Sequence, residues 1–279
     1  MRRDKRGVEF YVLAVFFGLF VLFLYGPLSA ILILSFQGER GGLTFPLNGV
    51  SLHWFANLFE QQAVGDFGGS FRRSLVLGLM VMVVTVVVSL LAGLAFRRKF
   101  RGATALFYLA VASLVVPSII ISLGIGVVFQ QLGLRPSWFT SAFGAHLTWT
   151  LPFGVLIMFA VFNRFSPAYE EAARDLGATS WQTFVHVVLP MIAPSLIGVG
   201  LFGFTLSYDE FARTLQTSGP TNTLPLEIWS MTTNVTSPAL YALGTVTTAF
   251  SFIVIIISLS AIALIQRRRF GKALPGKGH

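Results

Sequence analysis

Six long apolar runs constrain this 279-residue chain more than any other feature. They cover Phe10 to Leu34, Leu75 to Phe96, Thr104 to Phe129, Ala142 to Phe162, Phe184 to Leu206 and Tyr241 to Ile265. About 20 apolar residues in a helix match the hydrocarbon core of a bilayer. Lipid cannot satisfy open backbone groups, so runs of this kind cross as helices. Only 11% of the residues are charged, against about 25% in soluble domains. The expected fold class is therefore an all-α integral membrane protein with six transmembrane helices. The first run is too long for a signal peptide, and Leu28-Ser29-Ala30 is a poor cleavage site within it, so it reads as an uncleaved span. Pro152 in the fourth run, and Pro190 and Pro194 in the fifth, predict kinks or a late helix start.

Charge sets the expected orientation. One set of tails and loops holds Arg2, Arg3, Lys5, Arg6, Arg97, Arg98, Lys99, Arg101, Arg164, Arg174, Arg267, Arg268, Arg269, Lys272 and Lys277, fifteen of the 20 basic residues, against five acids. The other side holds Arg40, Arg72, Arg73, Arg135 and Arg213 against six acids. The positive-inside rule places both termini in the cytoplasm. The pI near 10.5 is then a property of the inner surface and gives no reason to expect nucleic acid. With no cysteine, disulfides, zinc–thiolate sites and cysteine nucleophiles are excluded. His53, His146 and His186 lack metal-ligand spacing, and no metal site is expected. Neither a nucleophile–base pair nor a phosphate-binding Gly-x-x-x-x-Gly-Lys-[Ser/Thr] loop is present, so no catalytic residues are expected. Two segments on the outer side, residues 37–71 and 207–240, are expected to pack as short helices.

The cytoplasmic segment between spans four and five, about residues 164–190, carries the densest local signals. Ser166-Pro167 opens a helix, with Ser as N-cap and Pro at the first helical position. Glu170 and Glu171 fall near its positive end. Tyr169, Ala172, Ala173 and Leu176 form one apolar stripe, and Glu170 is spaced to pair with Arg174. Gly177 suits a left-handed helix end. Thr179 with Gln182 reads as a capping box for a second helix. An exposed apolar stripe beside Glu170, Glu171 and Asp175 suits a groove on a soluble protein better than anionic lipid headgroups. The same acidity disfavours a DNA-binding helix-turn-helix.

The order Glu171-Ala172-Ala173, three residues, Gly177, nine residues, Val187, one residue, Leu189-Pro190 resembles the signature loop of binding-protein-dependent ABC importer permeases. Val187 stands where that family commonly has Ile. Ser207-Tyr208-Asp209-Glu210-Phe211 and Leu224-Pro225-Leu226-Glu227-Ile228-Trp229-Ser230-Met231 resemble the spermidine/putrescine-type branch. Tyr208 replaces the usual Phe there, and Trp229 a common Tyr. The resemblance implies a single permease domain over 1–279. It also implies two ABC ATPase subunits that bind ATP and Mg, a second permease subunit of a different chain, and a periplasmic solute-binding protein, in a bacterial inner membrane. It assigns ATPase coupling to Glu171, Ala172, Ala173, Arg174, Asp175, Gly177, Leu189 and Pro190. The solute implied is a polyamine or related amine, with an opine or amino-acid derivative as the alternative.

Candidate pathway residues are Tyr208, Asp209, Glu210, Glu227 and Trp229. Carboxylates beside an aromatic ring attract an ammonium group by charge and cation–π contact. Against this, Asp209 is spaced to pair with Arg213. Gly124, Gly126, Gly198, Gly200 and Gly203 are expected to permit close helix packing. An ion-driven secondary transporter is the rival reading. It is disfavoured because the spans hold few ionisable residues.

Overall fold

The computed structural model describes residues 7–58, 65–98, 100–234 and 237–272, with side chains given up to residue 264 except that of residue 234. The N-terminal Arg2-Arg3-Asp4-Lys5-Arg6, Glu60, Lys99, Lys277 and His279, with the side chains of Arg267, Arg268, Arg269 and Lys272, lie outside that description. Much of the charge used above for orientation lies among them. Among the described residues the structure is helical, apart from one antiparallel bridge between Gln37 and Val50. Helices are numbered α1 (Val8–Leu34), α2 (His53–Asn57), α3 (Phe67–Phe96), α4 (Ala103–Ser113), α5 (Ser118–Gln131), α6 (Phe143–Asn163), α7 (Ala168–Asp175), α8 (Ser180–Thr183), α9 (Leu189–Tyr208), α10 (Leu224–Asn234) and α11 (Ala239–Lys272). Five helical stretches are long and apolar enough to cross a membrane, and the bent pair α4–α5 forms a further candidate.

The bend corrects the sequence reading. Thr104 to Phe129 was expected as one span, but α4 ends at Ser113 and α5 starts at Ser118, at 103° to it. Pro117 is the cause. It lacks an N–H and disfavours helical backbone at Val116. Other ends shift outward. α3 begins at Phe67 instead of Leu75, so Arg72 and Arg73, counted as loop, lie on the helix. A π-helical turn, Trp138–Ala142, leads into α6. Another, Phe184–Val188, joins α8 to α9. Pro190 removes the N–H that would bond the His186 carbonyl, and the wider turn accommodates the loss.

The chain divides into two compact units. The first comprises residues 1–67 and 228–250. There α1 exposes most of its apolar surface, and the following segment folds around Gln37, whose side chain is fully buried. Gln37 Nε2 donates to the carbonyls of Gly42 (3.1 Å) and Thr44 (3.4 Å), and its Oε1 accepts from Asn48 N–H at 2.7 Å. Tyr241 Oη donates to the Leu43 carbonyl at 2.5 Å. These bonds satisfy the backbone without a helix. Among the described residues of 37–71, the expectation of short helices is met by the five residues of α2 and the start of α3.

The second unit comprises residues 68–227 and 251–279. Met158, Phe162, Val188, Ile192, Leu196 and Val199 form its core with Val86, Leu90 and Leu94 of α3. Missing side chains let the helices approach. A Cβ at Gly154 would lie 2.1 Å from Ser89 Oγ, and one at Gly93 2.8 Å from the Phe162 ring. Gly200 and Gly203 face Val86 and Thr85 of α3, as expected of packing glycines. Gly198 and Gly124 face open space, and Gly126 meets the Gln216 carbonyl rather than another helix.

Candidate functional site

Local bonds shape the segment between α6 and α9. Pro167, expected as the first helical residue after a Ser166 cap, is instead itself the N-cap, with helical backbone angles and no side-chain cap bond, and α7 starts at Ala168. At the other end Gly177 sits at φ +86°. Gly177 N–H donates to the Arg174 carbonyl (2.8 Å) and Ala178 N–H to the Ala173 carbonyl (3.0 Å). This is the paired Schellman closure of a helix. The capping box then opens α8, with Gln182 N–H donating to Thr179 Oγ1 (3.2 Å) and Thr179 N–H to Gln182 Oε1 (2.9 Å). Beyond it, Leu189 packs against the core and Pro190 lies in the first turn of α9.

The segment presents most of its surface outward. Glu171, Ala172, Arg174, Asp175 and Gly177 are exposed, and Ala173 is half-buried. Leu176 is 89% exposed, Trp181 71% and Tyr169 52%, so an apolar set stands uncovered beside the acids.

One expected contact is absent. Glu170 does not pair with Arg174; it meets Arg97, the residue after α3, in a two-pronged ion pair of 2.6 and 3.1 Å. The Arg97 guanidinium lies 5.3 Å from the Phe162 ring centre and 5.4 Å from that of Phe165. A bidentate, half-buried pair braced by two rings outweighs an exposed i,i+4 contact, which contributes about 0.3–0.5 kcal/mol. A cleft of about 800 Å3 lies here, lined by Arg97, Arg98, Glu170, Arg174 and Phe184 among others.

The segment after α9 is built differently. Spacing offered Arg213 as a partner for Asp209, as the alternative to a pathway role. Its guanidinium instead meets Glu210 at 3.4 Å, and both side chains are almost fully buried. Arg213 also donates to Ser118 Oγ (2.7 Å), at the break in the third span, and to Thr148 Oγ1 (3.3 Å), and it lies 4.4 Å over the Trp149 ring. Burial lowers its pKa, and the neighbouring Glu210 opposes that shift. His146 is buried next to this pair. Thr214 Oγ1 spends its proton on the Glu210 carbonyl (2.6 Å), so His146 Nε2 donates to Thr214 Oγ1 (2.9 Å) and Nδ1 accepts from Ser207 Oγ (2.7 Å).

The five pathway candidates therefore separate. Asp209 is exposed just past α9 and has no ion pair among the described residues. Partial desolvation raises its pKa above the usual carboxylate value. Glu210 is committed to Arg213. Glu227 is buried and accepts from Asn222 Nδ2 at 2.8 Å. Tyr208 is buried, stacked on Phe204 and edge-on to Phe71. Trp229, in α10, is 52% exposed.

Sequence reasoning missed Arg97 and His146. Arg97 gave no signal, because an arginine at a span end reads as topology. His146, with Thr148 and Thr150 in an apolar run, was a legible polar insertion.

Comparison with known proteins bears on the whole chain. The spermidine/putrescine transport system permease protein PotC of Escherichia coli (strain K12) is 27% identical over 238 residues, covering 85% of this chain and 88% of that protein. The PotC protein of Haemophilus influenzae is 26% identical over 251 residues, covering 90% and 96%. The putrescine transport system permease protein PotI of E. coli (strain K12) is 29% identical over 231 residues, covering 80% of each. Among solved structures, a chain of a bacterial ABC transporter involved in the import of the acidic polysaccharide alginate superposes with a TM-score of 0.61 at 18% identity, over 97% of this chain and 99% of that one. A chain of the alginate transporter in complex with its pentasaccharide-bound periplasmic protein gives 0.64 at 16% identity, over 94% of each. At such identities the likeness concerns the fold. Residues 85–272 match the binding-protein-dependent transport system inner membrane component family, and the chain belongs to that family, with spermidine/putrescine permeases among its relatives.

Proposed function

We propose that this chain is the permease subunit of an ATP-driven importer, with residues 1–279 forming one permease domain of six spans and both termini in the cytoplasm. It works in a bacterial inner membrane with a second, different permease chain. Two separate ATPase subunits bind ATP and Mg, and a periplasmic binding protein delivers the solute. Nucleotide binding biases the pathway between two states through the segment Ala168–Thr183, and this chain does no chemistry itself. The observation that carries the reading is a rigidly closed helix–glycine–helix that leaves Tyr169, Leu176 and Trp181 uncovered beside Glu171 and Asp175. A helix with such a face fits a groove on a soluble partner. Glu171 supplies the polar contact, Ala172 and Ala173 allow close approach, and Gly177 sets the turn. Arg174 and Asp175 border the contact, and Leu189 and Pro190 tie the segment to α9.

The solute is a polyamine or related amine. The names of the relatives support this, and so does Asp209, a carboxylate with no ion pair among the described residues, at a helix end whose partial charge is already negative. Its raised pKa means that a cation arriving there relieves an unfavourable charge. Trp229 offers an exposed aromatic face. Tyr208 and Glu210 flank Asp209, Glu210 held by Arg213, and Glu227 is held by Asn222. The test is ATP hydrolysis by the reconstituted complex, with binding protein loaded with spermidine, putrescine or related amines, for wild type and Glu171→Arg. Stimulation by a loaded amine that Glu171→Arg abolishes is expected. Absence of a co-purifying ATPase, with a silent Glu171→Arg, would overturn the reading.

A further inference from the structure

We propose that the Arg97–Glu170 pair is the latch through which the coupling segment drives the transmembrane helices, a role that rests on the function proposed above. Four observations meet at this pair. It joins residues 73 apart in sequence by two short bonds of 2.6 and 3.1 Å. Its side chains are 23% and 15% exposed, so solvent screens it less than a surface pair. Each charge sits at the helix end that favours it, Arg97 beyond the C-terminus of α3 and Glu170 in the first turn of α7. The guanidinium is also held between Phe162 and Phe165, the first a core residue of α6 and the second on the path to α7.

Arg97 thus ties three elements together. α3 is 30 residues long, about 45 Å. It touches α6 where Gly93 meets Phe162 and α9 where Val86 and Thr85 meet Gly200 and Gly203. A displacement of α7 reaches α3 directly through the pair. α7 also packs against α8 and the π-helical turn Phe184–Val188, but the pair is the hydrogen-bonded link that joins it to the end of α3. Arg97 and Glu170 are positioning residues. They touch neither solute nor nucleotide, and they convert movement of the docked segment into movement of α3.

The test is the ratio of solute transported to ATP hydrolysed in proteoliposomes of the full complex. The variants are Arg97→Ala, Glu170→Ala, Arg97→Lys, the exchanged pair Arg97→Glu with Glu170→Arg, and Arg101→Ala as a neighbouring control. The latch predicts a ratio at least fivefold lower for each alanine variant and an intermediate ratio for Arg97→Lys, which keeps charge but not the fork. The exchanged pair recovers at least half of the wild-type ratio, and Arg101→Ala matches wild type. A merely structural role would lower complex yield and leave the ratio unchanged. Ratios within twofold of wild type for the alanine variants, or no recovery on exchange, would overturn the latch. If an alanine variant does not assemble, Arg97→Lys and the exchanged pair decide by the same criteria. The outcomes separate from the parent reading. If Glu171→Arg uncouples and Arg97→Ala does not, only the latch fails. If Glu171→Arg is silent, the coupling segment itself is wrong.

Discussion

The segment between α6 and α9 and the segment after α9 both leave the spans, yet they are held in opposite ways. The first is closed by bonds between near neighbours: Gly177 to Arg174, Ala178 to Ala173, Thr179 with Gln182. Among the described residues its one long-range side-chain hydrogen-bonded link is Arg97 to Glu170. The second is closed by distant partners: Arg213 to Ser118, Gln216 N–H to Ser122 Oγ, Leu224 N–H to Ser74 Oγ, and Arg73 Nε to the Asn222 carbonyl. The first stands out with its apolar residues uncovered, and the second buries Glu210, Arg213, Thr214, Thr217 and Ser218. The contrast teaches where movement is accommodated. A locally closed, exposed segment can shift as a body without unfolding its neighbours, whereas a segment knitted into α3, α5 and α6 moves only when they move.

That contrast is breakable, and the largest effect should fall in the buried segment. Arg213→Ala leaves Glu210 buried without its cation, which costs about 3–5 kcal/mol. Thermal unfolding in detergent should show a marked loss, and Arg213→Lys should not repair it, because a lysine cannot reach Glu210, Ser118 and Thr148 at once. Next is helix packing. Gly154→Val drives its side chain into Ser89 and should cost about 1–3 kcal/mol, with part of the loss recovered in a Ser89→Ala background. In the exposed segment, Gly177→Ala forces a left-handed residue, at about 1–2 kcal/mol. This strain is local. Amide exchange should speed up over residues 168–183 while the global melting temperature barely moves. If Gly177→Ala lowered that temperature as much as Arg213→Ala, the distinction between the segments would fail.

The smallest effect concerns pH. The folded pKa of Asp209 lies above its unfolded value. Its contribution to stability is therefore most favourable below the unfolded pKa and declines as pH rises through the folded one. Asp209→Asn should remove that decline, so the gap in melting temperature between variant and wild type should widen in favour of the variant from acid toward neutral pH. A gap independent of pH would show that Asp209 is not desolvated.

The two segments were not equally legible in sequence, for the same physical reason that they differ. The glycine turn and capping box depend on residues within six positions of one another, so Gly177, Thr179 and Gln182 announced them. The choice of Arg97 over Arg174 as partner for Glu170 depends on the ends of α3 and α6 meeting, and no local pattern carries that. Spacing offered Arg213 to Asp209 as an alternative, but burial selected Glu210, because a buried guanidinium needs several partners at once. The apolar runs showed the spans well. The break in the third was visible in Pro117 and went unread, because the residues around it stay apolar.

The central claim is that Ala168–Thr183 docks on the ATPase, and site-directed cross-linking tests it most directly. The chain has no cysteine, so a single one can be placed at will. Leu176→Cys, at the most exposed apolar position of the segment, should cross-link to the ATPase subunit in membranes of the full complex, and the yield should change with nucleotide. Leu134→Cys, in the exposed turn after α5, should not. Cross-linking of the ATPase to position 134 and not to position 176 would contradict both the orientation and the role assigned to the segment.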